Sequence, residues 1–380
     1  MKIVIAPDSF KETLSASEVA NAIEAGFLEF FPSAEILKLP IADGGEGTVD
    51  VLVSATEGSY FSTNISGPMG EVVSARWGML GDSKTAVIEV AEACGLHLVS
   101  VTKRNPMLAS SHGVGELILA AVDEGAEHII IGLGGSSSND GGMGFLQAIG
   151  VRFLDISGNQ LRGDVSSLSS LSDIDLSYMD PRLKRISFEV ACDVDNPLVG
   201  PQGASAIFAS QKGANSEMID QLETILNHYS SVVSRKFNND VSLYPGAGAA
   251  GGMGYSFKAF LNAELKSGIK IILDKIDFNQ HLLNADLVLT GEGKIDSQSE
   301  RGKAPIGVIE YAKRHKCRIF IIAGTLENSE SLISKYGIDK AFSVVSSELS
   351  IEEAMASPFE SLIAISRVAA QHYKKNYSDL

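Results

Sequence analysis

The chain has little that would tie it to a membrane, a thiolate metal centre or a nucleic acid. Its three cysteines, Cys94, Cys192 and Cys317, are scattered, which excludes a disulfide framework and a metal-type Cys-x-x-Cys pair. No apolar run approaches the roughly 20 residues that span a bilayer. The opening strand pattern, followed by Asp8, Lys11 and Glu12, is not a secretory leader. A net charge of -16 and a pI near 4.9 repel nucleic acid and anionic lipid. The densest basic cluster, Lys313-Arg-His-Lys-Cys-Arg318, reads as a helix end running into a strand. Familiar nucleotide signatures are missing too. Gly302-Lys303 is followed by Ala and has no glycine five positions before Gly302, so there is no Walker A loop. Protein-kinase signatures are absent, and the first strand ends in Pro7-Asp-Ser-Phe-Lys11 where an NAD fold would carry Gly-x-Gly. What remains is the expectation of a cytoplasmic protein without nucleic-acid or membrane partners.

Glycine, by contrast, is plentiful, and it is gathered into loops. In Ile129-Ile-Ile-Gly-Leu-Gly-Gly-Ser-Ser-Ser-Asn-Asp-Gly-Gly-Met-Gly144 an apolar strand pattern breaks into glycines, hydroxyls and one carboxylate before a helix pattern begins. Such a loop lets the backbone come within hydrogen-bonding distance of a ligand, and the following helix offers free N–H groups to an anion. Similar loops are Pro40-Ile-Ala-Asp-Gly-Gly-Glu-Gly-Thr48, Pro245-Gly-Ala-Gly-Ala-Ala-Gly-Gly-Met-Gly254 and Gly291-Glu-Gly-Lys-Ile-Asp-Ser-Gln-Ser-Glu-Arg-Gly-Lys303.

With 380 residues, 44% hydrophobic and 21% charged, the chain can hold two domains with sizeable cores. Lys2–Ala6 reads as a strand, and the capping box Ser15-x-x-Glu18 starts a helix whose Val19, Ile23, Phe27 and Phe31 recur every four residues until Pro32. A short strand near 36–39 and a helix from Val49 to Gly58 repeat the theme. From Tyr60 to Val90 the pattern turns to strands and carries the only tryptophan, Trp77. A helix opened by Ser110-Ser-His112, the strand His128 to Leu133, a hairpin over 151–162, a serine-rich surface loop over 166–177 and the strand Ile186 to Ala191 follow. Next come a long helix with Leu222, Ile225 and Tyr229 on its core stripe, and a strand Ile269 to Leu273. The last third alternates strand and helix, which argues parallel strands joined by crossover helices. Residues 1–58 have the same character. The expected fold is therefore α/β with two domains: a Rossmann/flavodoxin-like parallel-sheet domain from 1–58 plus 285–380, and an inserted mixed α/β domain from 59–284.

Loops ending parallel strands line up on one rim of a sheet, where α/β proteins bind ligands. These loops carry Asp8, Asp43, Glu46, Asp140, Asp193, Glu292 and Asp296 together with Lys11, Lys212, Arg301 and Lys303. Carboxylate oxygens with few histidines suit Mg2+ rather than zinc, and lysines with backbone N–H groups suit phosphates. The implied chemistry is phosphoryl transfer.

At this point the sequence resembles the bacterial glycerate kinases of the glycerate 2-kinase type. The resemblance is carried by Ala6-Pro-Asp-Ser-Phe-Lys11, Ala42-Asp-Gly-Gly-Glu-Gly-Thr48, Gly132-Leu-Gly-Gly-Ser-Ser-Ser-Asn-Asp-Gly-Gly142, Ala191-Cys-Asp-Val-Asp-Asn-Pro-Leu198, Gln211-Lys-Gly-Ala214, Gly246-Ala-Gly-Ala-Ala-Gly-Gly252 and Thr290-Gly-Glu-Gly-Lys-Ile-Asp-Ser-Gln298. It implies ATP-dependent, Mg2+-assisted phosphorylation of D-glycerate in glyoxylate or sugar-acid catabolism, on a two-domain fold with the site in its cleft. By family the product would be 2-phosphoglycerate.

Individual roles rest on chemistry. Nucleotide phosphates are assigned to Gly134, Gly135, Ser136 and Ser138, with Asn139 and Asp140, and to Gly291, Glu292 and Gly293. Mg2+ falls to Asp43 or Asp296. The glycerate carboxylate falls to Lys11 or Lys303, and Asp193 is the candidate base; these three, Asp193, Lys303 and Lys11, form the catalytic set. Asp8, Ser9, Asp43, Gly44, Gly45, Glu46, Asn196, Gln211, Lys212 and Arg301 complete the expected substrate contacts. A kinase of another small hydroxy acid, a glycerate 3-kinase and a nucleotide- or sugar-acid-binding regulator are the competing readings, and the sequence leaves a homodimer open.

Overall fold

Apolar runs at both chain ends build one parallel sheet. In Lys2–Pro7, Leu287–Gly291 and Arg318–Ala323 almost every residue is buried, as in strands covered on both faces. The computed structural model describes residues 1–11, 13–295, 304–327, 329–346 and 349–377. Contacts divide the chain into two compact units, one of Met1–Asp43 with Ile269–Leu380 and one of Gly44–Gly268.

In the terminal unit five parallel strands lie in the order Lys340–Ser343, Arg318–Ala323, Leu287–Gly291, Lys2–Pro7, Glu35–Lys38. Numbered along the unit this is the order 2-1-3-4-5 of doubly wound, flavodoxin-like sheets. Ile3, Ile5, Leu287, Leu289, Phe320 and Ile322 share one core with the helices Ala16–Leu28 and Pro358–Tyr377. The helix Ala304–Ala312 packs on the same strands. Ser15 and Glu18 form the expected capping box, Glu18 accepting from the Ser15 N–H at 2.8 Å.

The middle unit is built on a six-stranded mixed sheet, in the order Glu264–Lys266, Ser187–Ala191, His128–Gly132, Thr85–Glu89, Val72–Met79, Ser59–Ser66. Its first four strands are parallel, and the last two join antiparallel. Trp77 is fully buried and stacks on Phe61 at 4.5 Å between ring centres, while its Nε1 donates to Thr63 Oγ1.

Several local expectations need correction. The run Ile269 to Leu273 is not a strand but part of the helix Gly268–Lys275. Ile269, Ile271, Ile272 and Leu273 are buried in it, and Ile269, Ile272 and Leu273 with Ile276 just past its end recur at three- and four-residue spacing, a period that outweighs the strand preference of isoleucine. The hairpin over 151–162 is short, held by the Leu154–Gln160 bridge and by the Asp155 and Leu161 N–H groups donating to the Asn159 and Phe153 carbonyls, and its first arm, Arg152–Leu154, pairs as a strand with Asp173–Asp175 instead. The serine-rich stretch is not merely surface, because Leu168, Leu171 and Ile174 are buried within it. Finally, the units meet at 43/44 and 268/269 rather than at 58/59 and 284/285. The helix Thr48–Ala55, grouped by sequence with the terminal strands, packs on Val72–Met79 and Thr85–Glu89 of the middle unit.

Candidate active site

At the C-terminal rim of the terminal sheet the chain leaves Lys2–Pro7 through Asp8, Ser9 and Lys11, and leaves Leu287–Gly291 through Glu292 and Gly293. The strand register continues past the ends, since the Asp8 N–H donates to the Gly291 carbonyl at 2.8 Å. Asp8 is buried, and its Oδ1 accepts from the Ser9 N–H at 2.6 Å. Burial, followed by the nearby charge of Asp43, pushes the Asp8 carboxyl up to about 7, and Glu292 adds to this. Lys11 Nζ stands 3.5 Å from Asp43 Oδ2, and that carboxylate raises the lysine's affinity for its proton. Ser9, Lys11, Asp43, Glu292 and Gly293 all line one cavity of about 330 Å³. Sequence reasoning thus assembled a real cluster here. Asp296, Arg301 and Lys303, expected beside it, lie outside the described residues.

The corresponding rim of the middle unit brings other loops together. Gly44 has φ +88°, and a Cβ there would lie 2.7 Å from both Ala191 Cβ and Gly268 Cα, so only glycine fits. A Cβ on Gly134 would lie 3.0 Å from Gly45 Cα. The Gly44–Gly45 and Gly132–Gly134 backbones therefore touch at the ends of the strands His128–Gly132 and Ser187–Ala191. Asp193 is exposed just past the second strand, with Oδ1 accepting from the Gly268 N–H at 3.0 Å. Asn196 uses its amide N–H on the Gln202 carbonyl, and Glu46 and Gln211 are exposed.

Five expected ligand contacts of this unit lie in the interior instead: Ser136 and Ser138 are buried, and so are Asn139, Asp140 and Lys212. Asp140 is fully buried: Oδ2 accepts from the Ser111 N–H and hydroxyl and from the Gly144 N–H, and Oδ1 accepts from the Gly142 N–H. It pins the loop to the start of the helix Met143–Ala148 rather than facing a nucleotide. Asn139 is equally buried and donates to Ser205 Oγ at 3.0 Å. Lys212, expected at the substrate, is 2% exposed, with Nζ donating to Ser136 Oγ at 2.9 Å and to the Ser138 carbonyl at 2.6 Å. Burial pushes its ammonium down to about 8. The lysine thus holds the glycine loop from beneath, while Gly134 and Gly135 stay exposed above it.

Glu89 was missed. It closes the strand Thr85–Glu89 beside Gly132, is buried, and its Oε1 accepts from the Val49 N–H at 2.8 Å. The helix Thr48–Ala55 has Gly47 as its N-cap and so has no side-chain cap of its own. Glu89 supplies one from a distant strand. Burial pushes its carboxyl up to about 7, against hydrogen bonds from Val49 and Gly47 that favour the charged form; Glu92 and Asp50 add repulsion. The rule that singled out Asp8 and Asp193, a carboxylate at the end of a parallel strand, could have found it.

Two α/β units with glycine loops and carboxylates on their strand rims are the framework of a small-molecule phosphotransferase, and known proteins of similar sequence agree. The model of the glycerate kinase family matches residues 3–374. The chain belongs to this family. It is 51% identical to the glycerate 2-kinase of Escherichia coli (strain K12) over 97% of this chain and 96% of that one. It is 49% identical to the glycerate kinase of Bacillus subtilis (strain 168), over 98% of each. A crystal structure from Salmonella typhimurium LT2, described as a glycerate kinase 2, superposes with a TM-score of 0.89 at 47% identity, covering 99% of this chain and 98% of that one.

Proposed function

We propose that the protein transfers the γ-phosphoryl group of ATP to D-glycerate and yields 2-phosphoglycerate, in the cytoplasm, within glyoxylate or sugar-acid breakdown. The observation that carries this reading is the family match from residue 3 to residue 374, which takes in every rim loop described above.

Phosphoryl transfer asks a protein for positioning and charge neutralisation more than for covalent help. In the proposed reaction Asp193 takes the proton of the glycerate 2-hydroxyl. That oxygen forms a bond to the γ-phosphorus as the bond to the β,γ-bridging oxygen breaks, and ADP leaves. Gly134 and Gly135 offer backbone N–H groups to the phosphates, held in place by Lys212 and Asp140 below them. Lys11 meets the glycerate carboxylate or the transferred group, with Lys303 as the alternative.

The donor set around Asp43 suits Mg2+, being carboxylate oxygen throughout, with Asp8 and Glu292 adding negative charge that a cation relieves. Among the described residues no three metal-ligating side chains gather into a cage. A Mg2+ held by one or two carboxylates and the substrate phosphates needs no such cage. Asp43 or Asp296 would be the protein ligand. When bound, the ion neutralises charge on the transferring phosphoryl group.

An ADP-release assay across D-glycerate, L-glycerate, tartronate and glycolate tests the proposal. D-Glycerate is expected to give the highest kcat/KM. A higher value for tartronate or glycolate would make the protein a kinase of another hydroxy acid. No ADP with any acid would favour a binding protein.

A further inference from the structure

The cavity of the terminal unit is larger and less polar than glycerate needs. Its volume of about 330 Å³ falls in the range of pockets that take drug-sized ligands, and a three-carbon acid would leave much of it empty. It lies across the C-terminal ends of four adjacent parallel strands, including the junction between Lys2–Pro7 and Leu287–Gly291. There the chain reverses its direction across the sheet, which is where doubly wound folds bind nucleotides.

The two ends of the cavity differ in chemistry. One carries Lys11, Asp43 and Glu292. The other is a wall of Val344, Val345, Ile351, Ala354, Met355 and Pro358, contributed by the last strand end and by the helix Ile351–Ala356 with the residue that starts the next. Ile351 and Met355 leave 54% and 53% of their surface exposed, so this wall is open to an aromatic ligand. An apolar slot beside a carboxylate and a lysine matches a nucleoside: a flat base against the wall, ribose hydroxyls toward the Glu292 carboxylate, and phosphates toward Lys11. A small anionic acid gains nothing from the apolar half.

We infer that this cavity holds the base and ribose of the phosphate donor, so that the nucleotide is gripped by the terminal unit at its nucleoside end. The inference deepens the kinase reading and rests on it for the identity of the donor. Two variants alter the wall without touching the polar end. Ala354→Phe fills the slot, and the double variant Ile351→Ser with Met355→Ser strips it at two exposed positions. ADP affinity is measured by calorimetry and KM for D-glycerate by ADP release.

The expected result is that ADP binds at least tenfold more weakly to Ala354→Phe and at least threefold more weakly to the double variant, while KM for D-glycerate stays within twofold. Should Ala354→Phe not fold, the double variant decides. Unchanged ADP affinity, a rise in the D-glycerate KM alone, or a parent protein that binds no ADP would each overturn the inference. Loss of ADP affinity in a protein that phosphorylates no hydroxy acid would instead leave the nucleoside site standing and remove the proposed reaction. Normal turnover with unchanged ADP affinity would do the reverse.

Discussion

Glu89 shows how one side chain can tie a loop to the pH of the solution. Its carboxyl is pushed up to about 7 in the folded protein, from an ordinary value of 4.5. Between those values the folded protein holds a proton that the unfolded chain has released. The group's contribution to stability therefore falls as pH rises through that window, and its cost, roughly 3 kcal/mol, is fully present above it. Glu89→Gln keeps an oxygen for the Val49 N–H without the charge. Denaturant unfolding of parent and variant at pH 5 and pH 8 is expected to show the variant gaining on the parent at the higher pH. An equal difference at both pH values would mean that Glu89 stays ionised throughout. Asp193 makes the opposite case, because exposure leaves it able to meet substrate while the Gly268 N–H fixes its direction. Asp193→Asn preserves that acceptor and shape but cannot take a proton at neutral pH. Its kcat is expected to fall on the order of 10² to 10⁴-fold with little change in KM, and steady-state kinetics giving a kcat within about threefold of the parent would remove the residue as base.

At the scale of elements, buried polar groups tie the central glycine loop to the segments packed around it, Ser111, Ser205 and Lys212 among them. Asp140 accepts four hydrogen bonds and Lys212 donates two, all in the interior. Replacing Lys212 by Met leaves Ser136 Oγ and the Ser138 carbonyl without that donor. The variant is expected to lose about 1–3 kcal/mol of stability by denaturant titration, and KM for ATP should rise as Gly134 and Gly135 lose their support. Unchanged stability together with an unchanged KM would deny the lysine this role. The sequence displayed the chemistry of these residues but not their burial, which is why Lys212, Asn139 and Asp140 looked like ligand contacts. The parallel strands were legible because they are buried on both faces and read as unbroken apolar runs. Gly268–Lys275 was not, since a short isoleucine-rich run satisfies strand composition and helix period alike. The helix Thr48–Ala55 was recognisable, but its partners, Val72–Met79 and Thr85–Glu89, are a matter of tertiary contact that no local pattern carries.

For the whole molecule, the family match spans both units, and a net charge of -16 does not hinder an anionic substrate where placed lysines and a cation set the local field. The rim loops of the terminal unit bring Lys11, Asp43 and Glu292 to one cavity with Asp8 buried beside them, and those of the middle unit pack Gly44 against Gly132 and Gly45 against Gly134. In the proposed reaction these loops move a phosphoryl group onto the 2-hydroxyl of D-glycerate. Phosphorus NMR of the protein with ATP, Mg2+ and D-glycerate tests it most directly. The expected spectrum shows 2-phosphoglycerate rising one for one with ADP. A spectrum in which ATP persists, ADP appears only with inorganic phosphate, or the ester forms at the 3-hydroxyl would contradict the claim.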